Sequence, residues 1–129
     1  MKKILALVAV LLGLTVLTGC SSSSVQTVDP QAFLSTASQN GVVVVDVRTP
    51  AEFAAGHVAG AVNIDVEAPT FDSTIATLDK NATYAVYCHS GRRSSVATDA
   101  MAKAGFAHVY NLSGGFPDLV SAGATVVTS

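Results

Sequence analysis

Two short runs of apolar residues constrain the fold more than any other feature of the sequence. Val42 to Val45 is an unbroken run of β-branched residues that ends at Asp46, and Thr83 to Tyr87 is a second strand-like run that ends at Cys88. Apolar runs of this length are typical of strands that are buried on both faces of a parallel sheet. Helices must then cover both faces of that sheet.

Patterns typical of helices separate these strands along the chain. Asp29-Pro30 and Thr49-Pro50 each combine an N-cap residue with proline at the first helical position, and Glu52 stands where a capping box needs it. Helices are predicted over 30–38, 50–55, 71–78 and 94–104 and in a short segment from Pro117, and further strands over 25–28, 61–64, 108–112 and 124–127. This alternation predicts an α/β fold with a mainly parallel sheet. Ligands of such sheets bind beyond the carboxyl ends of the strands, where Cys88 falls.

The N-terminal residues have the pattern of an export signal followed by a lipid anchor. Two lysines precede an apolar run from Ile4 to Leu17, which fits the about 7–15 residues of a signal peptide and is shorter than the about 20 of a spanning helix. Leu17-Thr18-Gly19-Cys20 resembles the bacterial lipobox, in which the cysteine receives a lipid after cleavage before it. An ordinary signal peptide that leaves Cys20 free is the alternative. The predicted division is a signal peptide at 1–19, the lipidated Cys20 with a polar tether at 20–24, and one domain at 25–129.

Such an anchor predicts a protein held at a membrane of the cell envelope, facing the periplasm or the cell exterior. Ser21 follows Cys20 at a place where aspartate often retains lipoproteins in the inner membrane, so the outer membrane is favoured in a cell that has one. Lipid on Cys20 leaves Cys88 as the only thiol of the mature chain. An unpaired thiol in an oxidising compartment suggests that it has a chemical role.

The loop after Cys88 has the composition of an anion-binding site. The residues that would form it are His89, Ser90, Gly91, Arg92 and Arg93. Gly91 permits unusual backbone dihedrals, so that successive N–H groups can converge, and the helix predicted from about Ser94 adds its positive end. Such surroundings lower a cysteine pKa from about 8.5 towards about 7 and favour the thiolate. A free cysteine buried in the core is the structural alternative.

Positive charge is scarce in the mature chain and concentrated in this loop. Without residues 1–19, five basic residues remain against nine acidic ones, a formal net charge of −4. This balance leaves no basic patch for a nucleic acid. Arg92 and Arg93 stand side by side, so they place positive charge where a small anion would bind.

Four segments, in order along nearly the whole mature chain, resemble the signatures of rhodanese domains. They are Asp46-Val47-Arg48 with Glu52-Phe53, the segment 56–64, the segment 86–94, and Asn111-Leu112-Ser113-Gly114-Gly115-Phe116. The resemblance implies a rhodanese-like fold with about five strands in a mainly parallel central sheet and helices on both faces. Many rhodaneses have tryptophan shortly after the double glycine, whereas this chain has Phe116 there and no tryptophan.

The resemblance also implies thiosulfate-type sulfurtransferase activity. Cys88, as the matching cysteine, would take a sulfane sulfur from a small anionic donor as a persulfide. It would pass that sulfur to a thiol, to a cyanide-like acceptor or to a redox protein. This chemistry requires no organic cofactor and no metal, and His57, His89 and His108 lack the spacing of a metal site.

Supporting roles are expected for polar residues near the same edge of the sheet. Asp46 and Arg48 follow a buried strand, so we expect them to order the loop through hydrogen bonds rather than to move protons. Ser94 is expected to cap the next helix. Glu52 is assigned to its capping box, with an ion pair to Arg48 as a second option. His57, in a turn bounded by glycines, is expected to be structural.

Two other functional interpretations stay open. Cell-cycle-type phosphatases and arsenate reductases resemble rhodaneses but have arginine six places after the cysteine, whereas Arg93 here stands at the fifth place and Ser94 at the sixth. The shorter loop suits a sulfur atom better than a phosphate group. The other interpretation is a non-catalytic persulfide carrier or binding module, in which Cys88 holds sulfur without turnover.

Overall fold

The computed structural model describes residues 24–129. The predicted signal peptide and the lipidation of Cys20 lie outside the described residues. Within the described part, no helix has both the length and the hydropathy that are needed to cross a membrane.

A five-stranded parallel sheet forms the centre of the structure. Its strands, in spatial order, are β1 (Val25–Val28), β6 (His108–Leu112), β5 (Thr83–Tyr87), β2 (Val42–Asp46) and β4 (Val62–Asn63). All neighbours in this sheet run parallel, with Val45 opposite Val86 in the register of β2 and β5. The predicted α/β class and the mainly parallel sheet are confirmed.

Helices cover both faces of this sheet. They are α1 (Pro30–Ala37), α2 (Pro50–Ala55), α3 (Phe71–Ile75), α4 (Arg92–Lys103) and α5 (Phe116–Ser121). Side chains of α3 and α4 pack with Val45 and Val86 in one core, and side chains of α1 and α5 pack with Val44 and Ala85 in the other. Successive strand residues thus enter opposite cores, which explains why both runs are apolar without alternation.

The C-terminal segment that was predicted as a strand over 124–127 lies outside the main sheet. Val126–Val127 forms β7, and it pairs antiparallel with β3 (His57–Val58), a strand that the sequence patterns did not indicate. Two-residue strands are too short for a periodic pattern, so their pairing depends on long-range packing. The predicted strand over 61–64 is likewise reduced to the two residues of β4.

Two helix boundaries differ from the prediction by more than one residue. Helix α3 ends at Ile75 rather than at residue 78. Helix α4 begins at Arg92, because Gly91 takes the N-cap position with a φ of 99°, a left-handed conformation that favours glycine. Ser94 therefore lies in the first turn of α4, and the expectation that it caps the helix is wrong.

Candidate active site

Cys88 lies directly after β5, at the carboxyl edge of the parallel sheet, and the loop that follows it leads into α4. Asp46 ends the neighbouring strand β2 and is aligned with Tyr87, so both strands deliver polar or reactive groups to this edge. The positions of Asp46 and Cys88 agree with those expected from the sequence.

The sulfur of Cys88 is buried and surrounded by hydrogen-bond donors. The Gly91 amide donates to Sγ over 3.0 Å, and the side chain is 0% exposed. Burial by itself raises the pKa of Cys88, but the Ser94 hydroxyl and the amides of Ser94, Gly91 and Ser90 outweigh it, so that the pKa lies below its ordinary value. Hydrogen bonds to the charged form of a group favour that form. The loop therefore favours a thiolate at Cys88.

Ser94 has a different part in this arrangement from the one that the sequence suggested. From the first turn of α4, its hydroxyl donates to the Gly91 carbonyl over 3.2 Å, and as an alternative donor to the Cys88 thiolate it lowers the pKa of that group. The side chain is 0% exposed. Spacing alone gave no sign of this contact, because a serine six residues after a cysteine reaches it only when the loop folds back.

The double glycine after β6 packs against the cysteine loop. A Cβ atom at Gly115 would overlap the carbonyl of His89, and one at Gly91 would stand 3.0 Å from the Gly114 carbonyl oxygen. The Phe116 amide donates to the Cys88 carbonyl over 2.8 Å. Glycine is thus required at Gly115 by close backbone approach. The resemblance to rhodaneses included this segment but did not indicate what it contacts.

Asp46 and Arg48 form a buried ion pair beside the loop. The Arg48 Nη2 donates to the Asp46 carboxylate over 2.7 Å and to the Gly56 carbonyl over 2.7 Å, while the Tyr87 hydroxyl donates to Asp46 over 2.8 Å. The Arg48 guanidinium also lies 4.3 Å from the centre of the Phe116 ring. The pair is connected to the loop by these two aromatic residues, because Tyr87 directly precedes Cys88 and the Phe116 amide donates to the Cys88 carbonyl.

The two arginines of the loop have different surroundings. Arg92 is exposed, whereas Arg93 donates to both carboxylate oxygens of Glu52, over 2.7 and 3.0 Å. Glu52 also closes the predicted capping box with Thr49, which confirms that prediction, but its ion-pair partner is Arg93 and not Arg48. The hydrogen bonds from Arg93 lower the pKa of Glu52 to about 2, against the opposing effect of burial.

The histidines near the loop also differ. His89 and Ser90 are exposed at the surface of the loop. His57 is buried, stacks on Phe53 with a ring separation of 3.5 Å, and places Nδ1 2.8 Å from the Phe53 carbonyl oxygen. These contacts are those of a structural residue. Over residues 24–129, no three or more His, Cys, Asp or Glu side chains are grouped as a metal site requires.

Two pockets open beside the loop. The first, of about 270 Å³, is lined by Val66, Glu67, Ser90, Arg92, Arg93 and Val96. The second, of about 320 Å³, is lined by Arg48, Glu52, Ala55, Gly56, His89 and Phe116. The ion pair between Arg93 and Glu52 thus contributes one partner to each pocket.

Residues 29–122 match the family of rhodanese-like domains. The chain belongs to the rhodanese-like family. It is 39% identical over 75 residues to the thiosulfate sulfurtransferase PspE of Escherichia coli, which covers 58% of this chain and 71% of that protein. Membership supports sulfurtransferase activity at the level of the family.

Solved structures are similar as well. The Alr3790 protein from Anabaena superposes with a TM-score of 0.71 at 24% identity, over 79% of this chain and 82% of that one, which shows the shared fold. A rhodanese from E. coli, solved with anions, has a TM-score of 0.57 at 34% identity and covers 68% of this rhodanese-like chain and 99% of its own.

Proposed function

We propose that this rhodanese-like protein transfers sulfane sulfur through a persulfide on Cys88. The observation that carries the proposal is the buried Cys88 sulfur, which accepts from the Gly91 amide over 3.0 Å and whose pKa is lowered by the Ser94 hydroxyl and the neighbouring loop amides. Donors in this arrangement stabilise negative charge on the thiolate, and the same donors suit the outer sulfur of an anionic persulfide. The names of the curated relatives point to thiosulfate as donor.

The proposed reaction is a pair of displacements at sulfur. The Cys88 thiolate attacks the outer sulfur of thiosulfate, the sulfur–sulfur bond breaks, and sulfite leaves with its electron pair. Cys88 then carries the anionic persulfide. A thiophilic acceptor attacks the outer sulfur in the second displacement, and the Cys88 thiolate is released. No net oxidation takes place, since one sulfur–sulfur bond is formed for each one that is broken in the first step.

Loading of Cys88 is tested on the reduced, folded protein with thiosulfate, followed by intact-mass measurement. The expected result is a gain of one sulfur atom that cyanide removes as thiocyanate. Cys88→Ser provides the control and should remain unloaded. A wild-type protein that gains no sulfur, although its free thiol is titratable, would contradict the proposal.

Complete burial of Cys88 favours a second candidate, a persulfide carrier that protects its sulfur from solvent. A carrier would load in the same experiment but would show negligible steady-state turnover of thiosulfate with cyanide or a thiol. Turnover that continues over many cycles would exclude the carrier, whereas a single sulfur transferred per protein would favour it.

We also propose that lipid on Cys20 holds the domain at the cell envelope, facing the periplasm or the cell exterior. The support is the lipobox-like ending Leu17-Thr18-Gly19-Cys20. Growth with a clickable fatty acid should label the full-length protein, and Cys20→Ala should abolish the label while Cys88→Ser retains it. Equal labelling of wild type and Cys20→Ala would refute the anchor.

A further inference from the structure

We propose that Glu52 is a specificity-determining residue, which by neutralising Arg93 reduces the preference of the Cys88 site for doubly charged sulfur donors. The inference rests on the proposed sulfurtransferase function. It concerns a residue that contributes to donor choice through its ion pair and not through contact with the reacting sulfur.

Glu52 is held in place from two sides. Its Oε1 accepts from the Thr49 hydroxyl over 3.1 Å within the capping box, and its two carboxylate oxygens accept from both terminal nitrogens of Arg93. These hydrogen bonds occupy the edge of the guanidinium that would otherwise bind an oxyanion in the same bidentate geometry. A donor must therefore compete with Glu52 for Arg93.

Arg93 is near enough to the Cys88 sulfur to interact with it electrostatically. The hydrogen bonds of Glu52 contribute most to the raised pKa of Arg93, and the Cys88 thiolate adds a smaller electrostatic contribution in the same direction. Arg93 also lines the pocket of about 270 Å³ with Ser90 of the cysteine loop. A change in the net charge of the Arg93–Glu52 pair is consequently felt by an anion in this pocket.

The remaining walls of the pocket are close to neutral overall. Arg92 contributes one positive charge and enters no ion pair within residues 24–129, while Glu67 contributes one negative charge. Val66 and Val96 add apolar surface, and Val96 is 57% exposed. A dianionic donor thus gains little net electrostatic attraction from this pocket. A monoanionic donor with an apolar group therefore gives up little attraction relative to the dianion.

Two donors of nearly the same shape isolate the effect of charge. Thiosulfate is a dianion, and methanethiosulfonate replaces one of its oxygens by a methyl group and is a monoanion. The Cys88 thiolate attacks the outer sulfur of either donor, and the electron pair of the broken bond leaves with sulfite or with methanesulfinate. The ratio of kcat/KM for thiosulfate to kcat/KM for methanethiosulfonate therefore reports the charge preference of the site.

The test compares four proteins: wild type, Glu52→Gln, Arg93→Gln and the double variant. Glutamine also serves at the third position of a capping box, so Glu52→Gln keeps the cap while it removes the charge. One freed positive charge about 10 Å from the donor in water should raise kcat/KM about fourfold for thiosulfate and about twofold for methanethiosulfonate. The ratio should then rise about twofold, fall by a similar factor in Arg93→Gln, and return close to wild type in the double variant.

Salt and a distant charge provide the controls. The change in ratio should shrink as ionic strength rises, because salt screens the freed charge. Asp72→Asn removes the same charge from an exposed residue beside Lys103 and Ala104, at the end of α4 opposite to the cysteine loop, and should leave the ratio unchanged.

A purely structural role for Glu52 would instead lower kcat/KM for both donors equally, without dependence on salt, and would overturn the inference. The same conclusion follows if both donors load Cys88 and Glu52→Gln leaves the ratio unchanged. If neither donor loads Cys88 in the wild-type protein, the sulfurtransferase proposal fails, and this inference fails with it.

Discussion

The Ser94 hydroxyl should be responsible for a measurable part of the reactivity of Cys88. It lowers the pKa of Cys88 as a donor to the thiolate, and a hydrogen bond to a charged group contributes about 1.5–3 kcal/mol. One pKa unit corresponds to about 1.4 kcal/mol. Since backbone amides remain to share the charge in Ser94→Ala, we take the lower end of that range and expect the pKa of Cys88 to rise by about one unit.

The rise is measured from the pH dependence of alkylation by iodoacetamide. Below the pKa the reactive thiolate fraction should fall about tenfold in Ser94→Ala, since the fraction drops tenfold for each unit. Ser95→Ala is the matched control, because the Ser95 hydroxyl donates to the same Gly91 carbonyl, over 2.8 Å, but is not among the donors to the sulfur. An unchanged alkylation profile in Ser94→Ala, or an equal shift in Ser95→Ala, would refute the reasoning.

Three further predictions concern the frame around the loop. Gly115→Ala should lower the free energy of unfolding by about 3 kcal/mol or more in urea melts and should slow alkylation of Cys88, because the added methyl group overlaps the His89 carbonyl. Gly41→Ala, with a φ of 83° but open space around it, should destabilise by about 1–2 kcal/mol and leave alkylation unchanged. Asp46→Ala should lower the free energy of unfolding by about 3–5 kcal/mol, since it leaves the buried Arg48 charge without its partner, and a loss below about 1 kcal/mol would contradict this view of the pair. The difference in unfolding free energy between wild type and Glu52→Gln should be constant above a pH of about 4.5 and should shrink as the pH falls towards about 2, because a lowered carboxyl pKa stabilises the fold only while the group is ionised; a difference independent of pH over this range would contradict the ion pair.

Local patterns were sufficient for the main elements and for the position of the nucleophile. The run Val42–Val45 identified a buried strand because both of its faces enter a core, and Thr49-Pro50 with Glu52 identified a helix start because capping is completed within four residues. Cys88 was found from its loop, whose glycine and charges are contiguous in the chain. Such features depend on interactions between residues close in sequence, so they can be read without the tertiary structure.

The N-terminal boundary of helix α4 could not be predicted from local sequence patterns. The composition from Ser94 onward indicated a helix, but the helix begins at Arg92 because Gly91 adopts a left-handed conformation. That conformation in turn brings the Gly91 amide to the Cys88 sulfur. Serine is a common cap, so sequence preference pointed to the wrong residue, while the geometry of the loop decided the boundary.

The α/β class, the cysteine at the carboxyl edge of the sheet and the cationic loop after it all follow from the order of residues along the chain. The ion pair of Arg93 with Glu52 and the close packing of Gly115 against the His89 carbonyl, by contrast, could be seen only in the folded structure. Glu52 and Arg93 are 41 residues apart, and they meet because α2 and α4 both begin at the edge of the sheet where β2 and β5 end. Periodicity and capping reflect neighbours along the chain, whereas charge balance at the site depends on which strands pack side by side.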